Sequence, residues 1–130
     1  MADGPAQERA ALQGVWEQVG FEENGVAGAP DSIEGATGAL TTIRGDHFSV
    51  RGKDGRLLLE GTFSLDSSQT PKAIDWMDAI GPDAGKRLLA IYRLEGDRFT
   101  FVAADPGMPR PRAFHTEAGQ TMRAFIRKRI

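Results

Sequence analysis

The residues best suited to chemistry lie in one short segment, Asp75-Trp76-Met77-Asp78. Successive side chains of a β-strand face opposite sides, so Asp75 would share a face with Met77, and Trp76 with Asp78. Whichever face is buried, one carboxylate then lies beside a large apolar side chain. Burial raises the pKa of a carboxyl group, which can then act as a general acid or base. The alternative interpretation exposes one Asp to solvent and uses the other to cap the turn before Gly81.

Two further side chains are candidates for polar contacts. Tyr92 is the only tyrosine, and alternation along residues 87–94 places it opposite Arg87 and Arg93, so we expect it to face the interior. A buried phenol can donate a hydrogen bond to a ligand carbonyl or to the backbone. His115 lies in a segment rich in proline and arginine, and a general-base role for it requires a positioned partner.

Several kinds of site are excluded or disfavoured by composition. The chain has no cysteine and two histidines, which excludes disulfides, thiolate metal sites and a cysteine nucleophile, and argues against a multi-histidine metal site. It has no Gly-x-Ser-x-Gly motif, no Walker motif and no dinucleotide-binding glycine motif. We therefore expect neither a metal nor a cofactor.

The charge is nearly balanced overall but unevenly distributed. The 130 residues, enough for one domain spanning 1–130, carry a net charge of -2, which argues against a nucleic-acid partner. Residues 1–34 hold seven carboxylates, and residues 106–130 hold six basic side chains. If the first and last strands are neighbours, these charges can pair, for about 0–1 kcal/mol per exposed pair. The alternative is an anionic ligand or partner near Arg110 and Arg112.

No segment has the composition of a membrane span or a secretory leader. No stretch approaches the ~18 apolar residues that cross a bilayer. The first residues include Asp3 and Glu8 and no apolar run, unlike a signal peptide. We therefore expect a cytoplasmic protein with no membrane partner.

Turn signals at short intervals divide the chain into strands. After an N-terminal arm over residues 1–13, with a short helix following Pro5, the turns separate about eight segments of alternating or β-branched character. These segments are 15–21, 39–44, 47–51, 57–65, 72–78, 87–94, 98–103 and 122–127. Hairpin-length connections between them predict an all-β fold, a single antiparallel up-and-down barrel. The glycine-rich stretch 25–38 is interpreted either as a mobile lid or as a plain loop.

Alternation within the strands predicts which side chains line the interior. In the first strand, Val19 and Phe21 are expected on one face, and Trp16 and Gln18 on the other. The same reasoning in the other strands gives an inward set of mainly aromatic residues. This predicted lining consists of Phe63, Trp76, Tyr92 and Phe101, with Met77 and Leu59 as secondary members.

Several longer motifs resemble a known family. They are LQGVW (12–16), EGTFSLD (60–66), PKAID (71–75), GPDAGKRLLAIYRLEGDRF (81–99) and PGMPRPRAF (106–114). In this order they resemble a family of small lipocalin-like bacterial domains, largely uncharacterised and abundant in planctomycetes, over roughly residues 10–129. The resemblance implies a barrel, and it carries over no catalytic residues. It also implies that Trp16 closes one end of the barrel beneath Arg123 or Arg127 in a cation–π contact.

Three hypotheses for the function emerge from the sequence. The first is binding of one small, largely apolar molecule inside the barrel. The second is a cyclase or isomerase that orients a substrate, assisted by an acid or base drawn from Asp75, Tyr92 and His115. The third is an interaction module, with a homodimer as one form of it.

Overall fold

The secondary structure is almost entirely β. The computed structural model describes residues 5–27, 39–66, 68–81 and 83–128. A short helix, α1 (Pro5–Leu12), comes first, and the described residues include no helix of the length and apolarity needed to cross a bilayer. The strands in these ranges are β1 (Gly14–Glu23), β2 (Val26–Ala27), β3 (Leu40–Arg44), β4 (His47–Arg51), β5 (Leu57–Asp66), β6 (Ala73–Asp78), β7 (Arg87–Glu95), β8 (Arg98–Ala104) and β9 (Gln120–Arg127).

Eight of these strands form a closed antiparallel barrel, because β1 pairs with β3 on one side and with β9 on the other. From β3 to β9 each strand pairs with the next one in the chain, which is the connectivity of an up-and-down meander. The remaining strand, β2, extends the end of β1 through a turn in which Asn24 and Gly25 both have positive φ. The predicted all-β barrel of about eight strands with a short N-terminal helix is confirmed.

The glycine-rich stretch 25–38 is only partly described. Residues 25–27 complete the turn and form β2. Residues 28–38 lie outside the described residues, so the choice between a lid and a plain loop stays a prediction.

Alternation is interrupted in β1. The pairing of β1 with β9 shifts register between Gln18 and Gly20, which is a β-bulge. The extra residue, Val19, is 40% exposed, while Trp16 and Gln18 are buried. After the bulge, Phe21 lies on the same side as Trp16, whereas simple alternation predicted opposite faces. The prediction for Phe21 was wrong because strict period-two alternation does not include a bulge.

Gly61 in β5 permits a close approach between strands. A Cβ at this position would overlap the carbonyl oxygen of Met77 and would lie 2.9 Å from a ring carbon of Phe48. No real Cβ atom fits in such a space, so β5 and β6 can pair here only with glycine. The Phe48 ring thereby lies against the β5 backbone inside the barrel.

One end of the barrel is closed by α1 and the start of β1. Leu12 and Trp16 are fully buried there, and the Trp16 indole N–H donates a hydrogen bond of 2.8 Å to the Leu12 carbonyl. The Arg127 guanidinium lies 4.3 Å from the centre of the Trp16 ring, which confirms the predicted cation–π contact and selects Arg127. Arg123 instead lies 5.0 Å from the centre of the Phe21 ring.

Arg127 also connects three separate parts of the chain. Its Nη1 donates to the Gln13 carbonyl at 2.8 Å, and its Nη2 donates to the Ala11 carbonyl at 2.7 Å. Its Nε donates to Asp97 Oδ1 at 3.1 Å, in the turn between β7 and β8. The last strand is thus fixed to the end of α1 and to a neighbouring hairpin by one side chain.

The acidic beginning and the basic end of the described chain meet as the charge pattern predicted. Lys128 Nζ lies 3.7 Å from Glu17 Oε1, and both side chains are about half exposed. An exposed pair of this kind contributes only about 0–1 kcal/mol. Arg112, which we considered for an anionic ligand, is exposed.

Arg127→Met tests how much the closed end depends on the guanidinium. The variant keeps an apolar stem but leaves two carbonyls and Asp97 without these donors. We expect the free energy of unfolding, measured by urea denaturation, to fall by about 1.5–3 kcal/mol.

Arg93→Met is the matched control, because Arg93 lies 4.4 Å from the Phe114 ring centre but is 47% exposed. Its expected loss is under about 1 kcal/mol. Equal losses in the two variants would contradict a special role for Arg127.

Candidate functional site

The barrel interior contains a cavity of about 110 Å³. Its walls are mainly aromatic rings from five strands: Trp16, Phe48, Trp76, Phe99, Phe101 and Phe125. Protein interiors are otherwise packed with few voids larger than a water molecule. An interior space of this size is therefore a candidate binding site.

Trp76 is the central ring of this wall. Its ring centre lies 4.9 Å from that of Phe101 and 5.1 Å from that of Phe48, the latter in an edge-to-face arrangement. Phe63 packs against Trp76 at 5.6 Å. Because several rings contact Trp76 at once, its position determines the shape of the cavity.

The Trp76 indole N–H has no hydrogen-bond partner among the described residues, although the residue is only 6% exposed. Buried donors in folded proteins are nearly always paired, and an unpaired one costs about 1–3 kcal/mol. The Trp76 side chain therefore carries an unsatisfied buried donor next to the cavity.

The polar part of the cavity wall lies at the end of the barrel opposite α1. We call Glu23, Asp78, Asp83 and Asp105 the rim carboxylates; all four line the cavity, together with Arg123. Glu23 ends β1, Asp78 ends β6, and Asp105 follows β8. These three strands run in the same direction in the antiparallel barrel, so their last residues lie at one end. The cavity therefore has an aromatic interior and an acidic rim.

Among the rim carboxylates, Asp78 has a strongly raised pKa. It is only 7% exposed, and burial raises its pKa to about 6, with a smaller contribution from the negative charge of Asp83. The positive charge of Arg123 acts in the opposite direction. The pKa of Asp105 is also raised, again by burial first and by Asp83 second. Asp78 thus has the properties of an acid or base that titrates near neutral pH.

Asp75 lies on the outer surface of the barrel, and its proposed place as an interior acid or base is corrected. Its carboxylate accepts a hydrogen bond of 2.6 Å from Arg110 and lies 3.3 Å from Arg87. Arg110 also donates to the Ala90 carbonyl at 2.8 Å. Asp75 therefore fastens the long connection between β8 and β9 to the barrel. The inward carboxylate of the segment is Asp78, which shares a face with Trp76.

Tyr92 points inward as predicted, but its hydroxyl is hydrogen-bonded to α1 at the closed end of the barrel. The residue is 1% exposed, and its hydroxyl donates a hydrogen bond of 2.8 Å to Glu8 of α1. Glu8 also accepts a hydrogen bond from Lys72 at 3.1 Å. Burial, followed by the bond to Glu8, raises the pKa of Tyr92. The partner is a side chain of α1, which was neither of the partners we considered, and Tyr92 is not among the cavity-lining residues.

His115 does not reach the cavity. Its ring is 59% exposed, and its Nε2 lies 3.4 Å from a carboxylate oxygen of Glu117. Asp75, Tyr92 and His115 therefore lie at three different places on the barrel, and the structure does not bring them together as an acid–base set.

The predicted apolar lining is partly correct in position. Leu59, Trp76 and Phe101 line the cavity. Phe63 is buried but lies beside Trp76 and does not line the cavity. Met77 is 37% exposed and faces outward, because Trp76 takes the inner face of β6. Whether these residues bind a ligand stays a prediction.

Sequence reasoning missed the rim carboxylates as a group. The signal for Asp78 was present, since any strand that buries Trp76 also turns Asp78 inward. Asp83 and Asp105 lie in connections, where alternation gives no information about direction. The described residues contain no group of His, Asp and Glu side chains arranged to hold a metal ion.

Comparison of the chain with protein-family models, with curated proteins and with solved structures gave no match. The resemblance to lipocalin-like bacterial domains therefore stays a prediction. The geometry of the cavity is the basis on which a function can be proposed.

Asp78→Asn tests the burial of this carboxyl group. Its folded-state pKa of about 6 exceeds the ordinary value of 3.8, so its contribution to stability is fully present below about pH 4 and is lost as pH rises through 6. Relative to the unchanged chain, the variant should therefore gain about 1–3 kcal/mol in unfolding free energy between pH 4 and pH 7.5. Urea denaturation at both pH values measures this gain.

Glu60→Gln is the control, since Glu60 is exposed on the neighbouring strand β5. It should show the same difference from the unchanged chain at both pH values. A flat response of Asp78→Asn as well would show that this carboxyl is not buried.

Proposed function

We propose that this protein binds one small, largely apolar molecule inside its barrel. The observation that supports the proposal is the cavity of about 110 Å³ enclosed by aromatic rings in an otherwise packed interior.

The size of the cavity restricts the ligand. Pockets for drug-sized molecules are roughly 300–1,000 Å³, whereas this cavity is about 110 Å³. An apolar cavity of about 150 Å³ in another protein accepts benzene. The ligand proposed here is therefore about the size of a single six-membered ring, with about six or seven non-hydrogen atoms.

The direction of access follows from the two ends of the barrel. Leu12 and Trp16 close one end and are fully buried. The other end carries the rim carboxylates, where β1, β6 and β8 finish. The ligand is proposed to enter past this rim, with its apolar part toward Trp76 and Phe101.

Binding can be tested with the probe 3,3-dimethylbutan-1-ol, which has seven non-hydrogen atoms and one acceptor oxygen. The chain has two tryptophans, Trp16 and Trp76, and both line the cavity, so tryptophan fluorescence reports on occupancy. We expect a saturable fluorescence change. Ala103→Leu, which adds three carbons at a cavity-lining position, should weaken binding at least tenfold.

Ala113→Leu is the matched control, because Ala113 is exposed and does not line the cavity. It should bind the probe like the unchanged chain, with circular dichroism confirming that both variants fold. Equal binding of the probe by the two variants would reject the cavity as the site, and absence of saturable binding by this alcohol, by its cationic isostere choline and by the anion 3,3-dimethylbutanoate would reject the proposed function.

A further inference from the structure

The charges around the cavity are strongly unequal. Four carboxylates, those of the rim, line it together with one guanidinium, that of Arg123. None of the rim carboxylates forms an ion pair with another described residue. The negative charge of Asp83 disfavours ionisation of both Asp78 and Asp105. The negative charges of these carboxylates therefore repel one another at neutral pH, and a positive charge placed among them would relieve the repulsion.

The aromatic walls of the cavity also favour a positively charged ligand. The face of an aromatic ring is the negative part of its quadrupole and attracts cations, including quaternary ammonium groups. This chain already places three guanidinium groups over rings, Arg93, Arg123 and Arg127, at 4.4, 5.0 and 4.3 Å from the ring centres. The cavity combines several such rings with carboxylates in one wall.

An anionic or neutral ligand fits this environment less well. An anion would face four carboxylates with only Arg123 in its favour, and Arg123 already lies over the Phe21 ring. A neutral ligand would leave the four rim carboxylates with Arg123 as the one basic side chain among the described cavity-lining residues, and burial of excess charge costs free energy.

We propose that the molecule bound in the barrel is a small organic cation, an amine or quaternary ammonium compound of about seven non-hydrogen atoms. Its ammonium group lies between the aromatic wall and the rim carboxylates. The inference rests on the proposed function and specifies the ligand class of the same cavity.

Three probes of nearly equal shape separate charge from size. They are choline, its neutral isostere 3,3-dimethylbutan-1-ol, and the anion 3,3-dimethylbutanoate. Binding is measured by tryptophan fluorescence and isothermal titration calorimetry at pH 7.5 and low ionic strength, where surface charges are least screened. We expect choline to bind at least tenfold more tightly than the alcohol, and the anion to bind most weakly.

Variants of the rim carboxylates then test where the positive charge of the ligand binds. Asp78→Asn and Asp105→Asn each remove one rim carboxylate and should weaken choline binding at least fivefold, and binding of the neutral alcohol by a clearly smaller factor. Glu60→Gln, which removes an exposed carboxylate on the outside of β5, should leave both probes unaffected.

The outcomes distinguish the two proposals. If the alcohol binds as tightly as choline, or the anion binds most tightly, the cation inference is overturned while ligand binding stands. If choline is preferred but neither rim variant weakens it, the placement of the charge is overturned. If no probe binds, both the proposed function and this inference fail.

Discussion

The contact of Arg127 with Trp16 joins the first and last strands of the barrel at the end that α1 closes. The guanidinium comes from the last strand and the ring from the first, so their contact of 4.3 Å lies across the seam where β1 meets β9. The same guanidinium binds carbonyls at the end of α1. The helix is thereby held over one end, with its Glu8 bonded to the buried hydroxyl of Tyr92. Because this end is filled, the polar rim is left at the opposite end.

The two ends of the barrel handle buried polar groups in different ways. At the closed end, Tyr92 and Trp16 both have hydrogen-bond partners. Toward the other end, Asp78 has a raised pKa, and the N–H of Trp76 has no partner among the described residues. Buried polar groups without partners destabilise a fold, and proteins concentrate such costs at functional sites. This contrast is why we place the site at the acidic end.

Local sequence patterns were sufficient for the architecture but not for all of the site. Turn residues and period-two alternation predicted the eight barrel strands, and the family resemblance implied a contact of Trp16 with Arg123 or Arg127, of which the structure selects Arg127. Asp75 was named as a candidate acid or base, but it faces outward. Neighbouring residues of a strand face opposite sides, and Trp76 takes the inner face of β6. The bond between Tyr92 and Glu8 joins residues 84 positions apart, which no local pattern records. Asp83 and Asp105 lie in connections, where direction depends on the folded chain.

We hold that the barrel contains a cavity lined by Trp76, Phe101 and Phe125, and diffraction from a crystal pressurised with xenon tests this claim. Xenon enters apolar cavities of about this size and is visible by its anomalous scattering. We expect a xenon atom inside the barrel, in contact with these rings and below the rim carboxylates. A crystal structure in which side chains fill the interior, with no xenon between β1, β6 and β8, would contradict the claim.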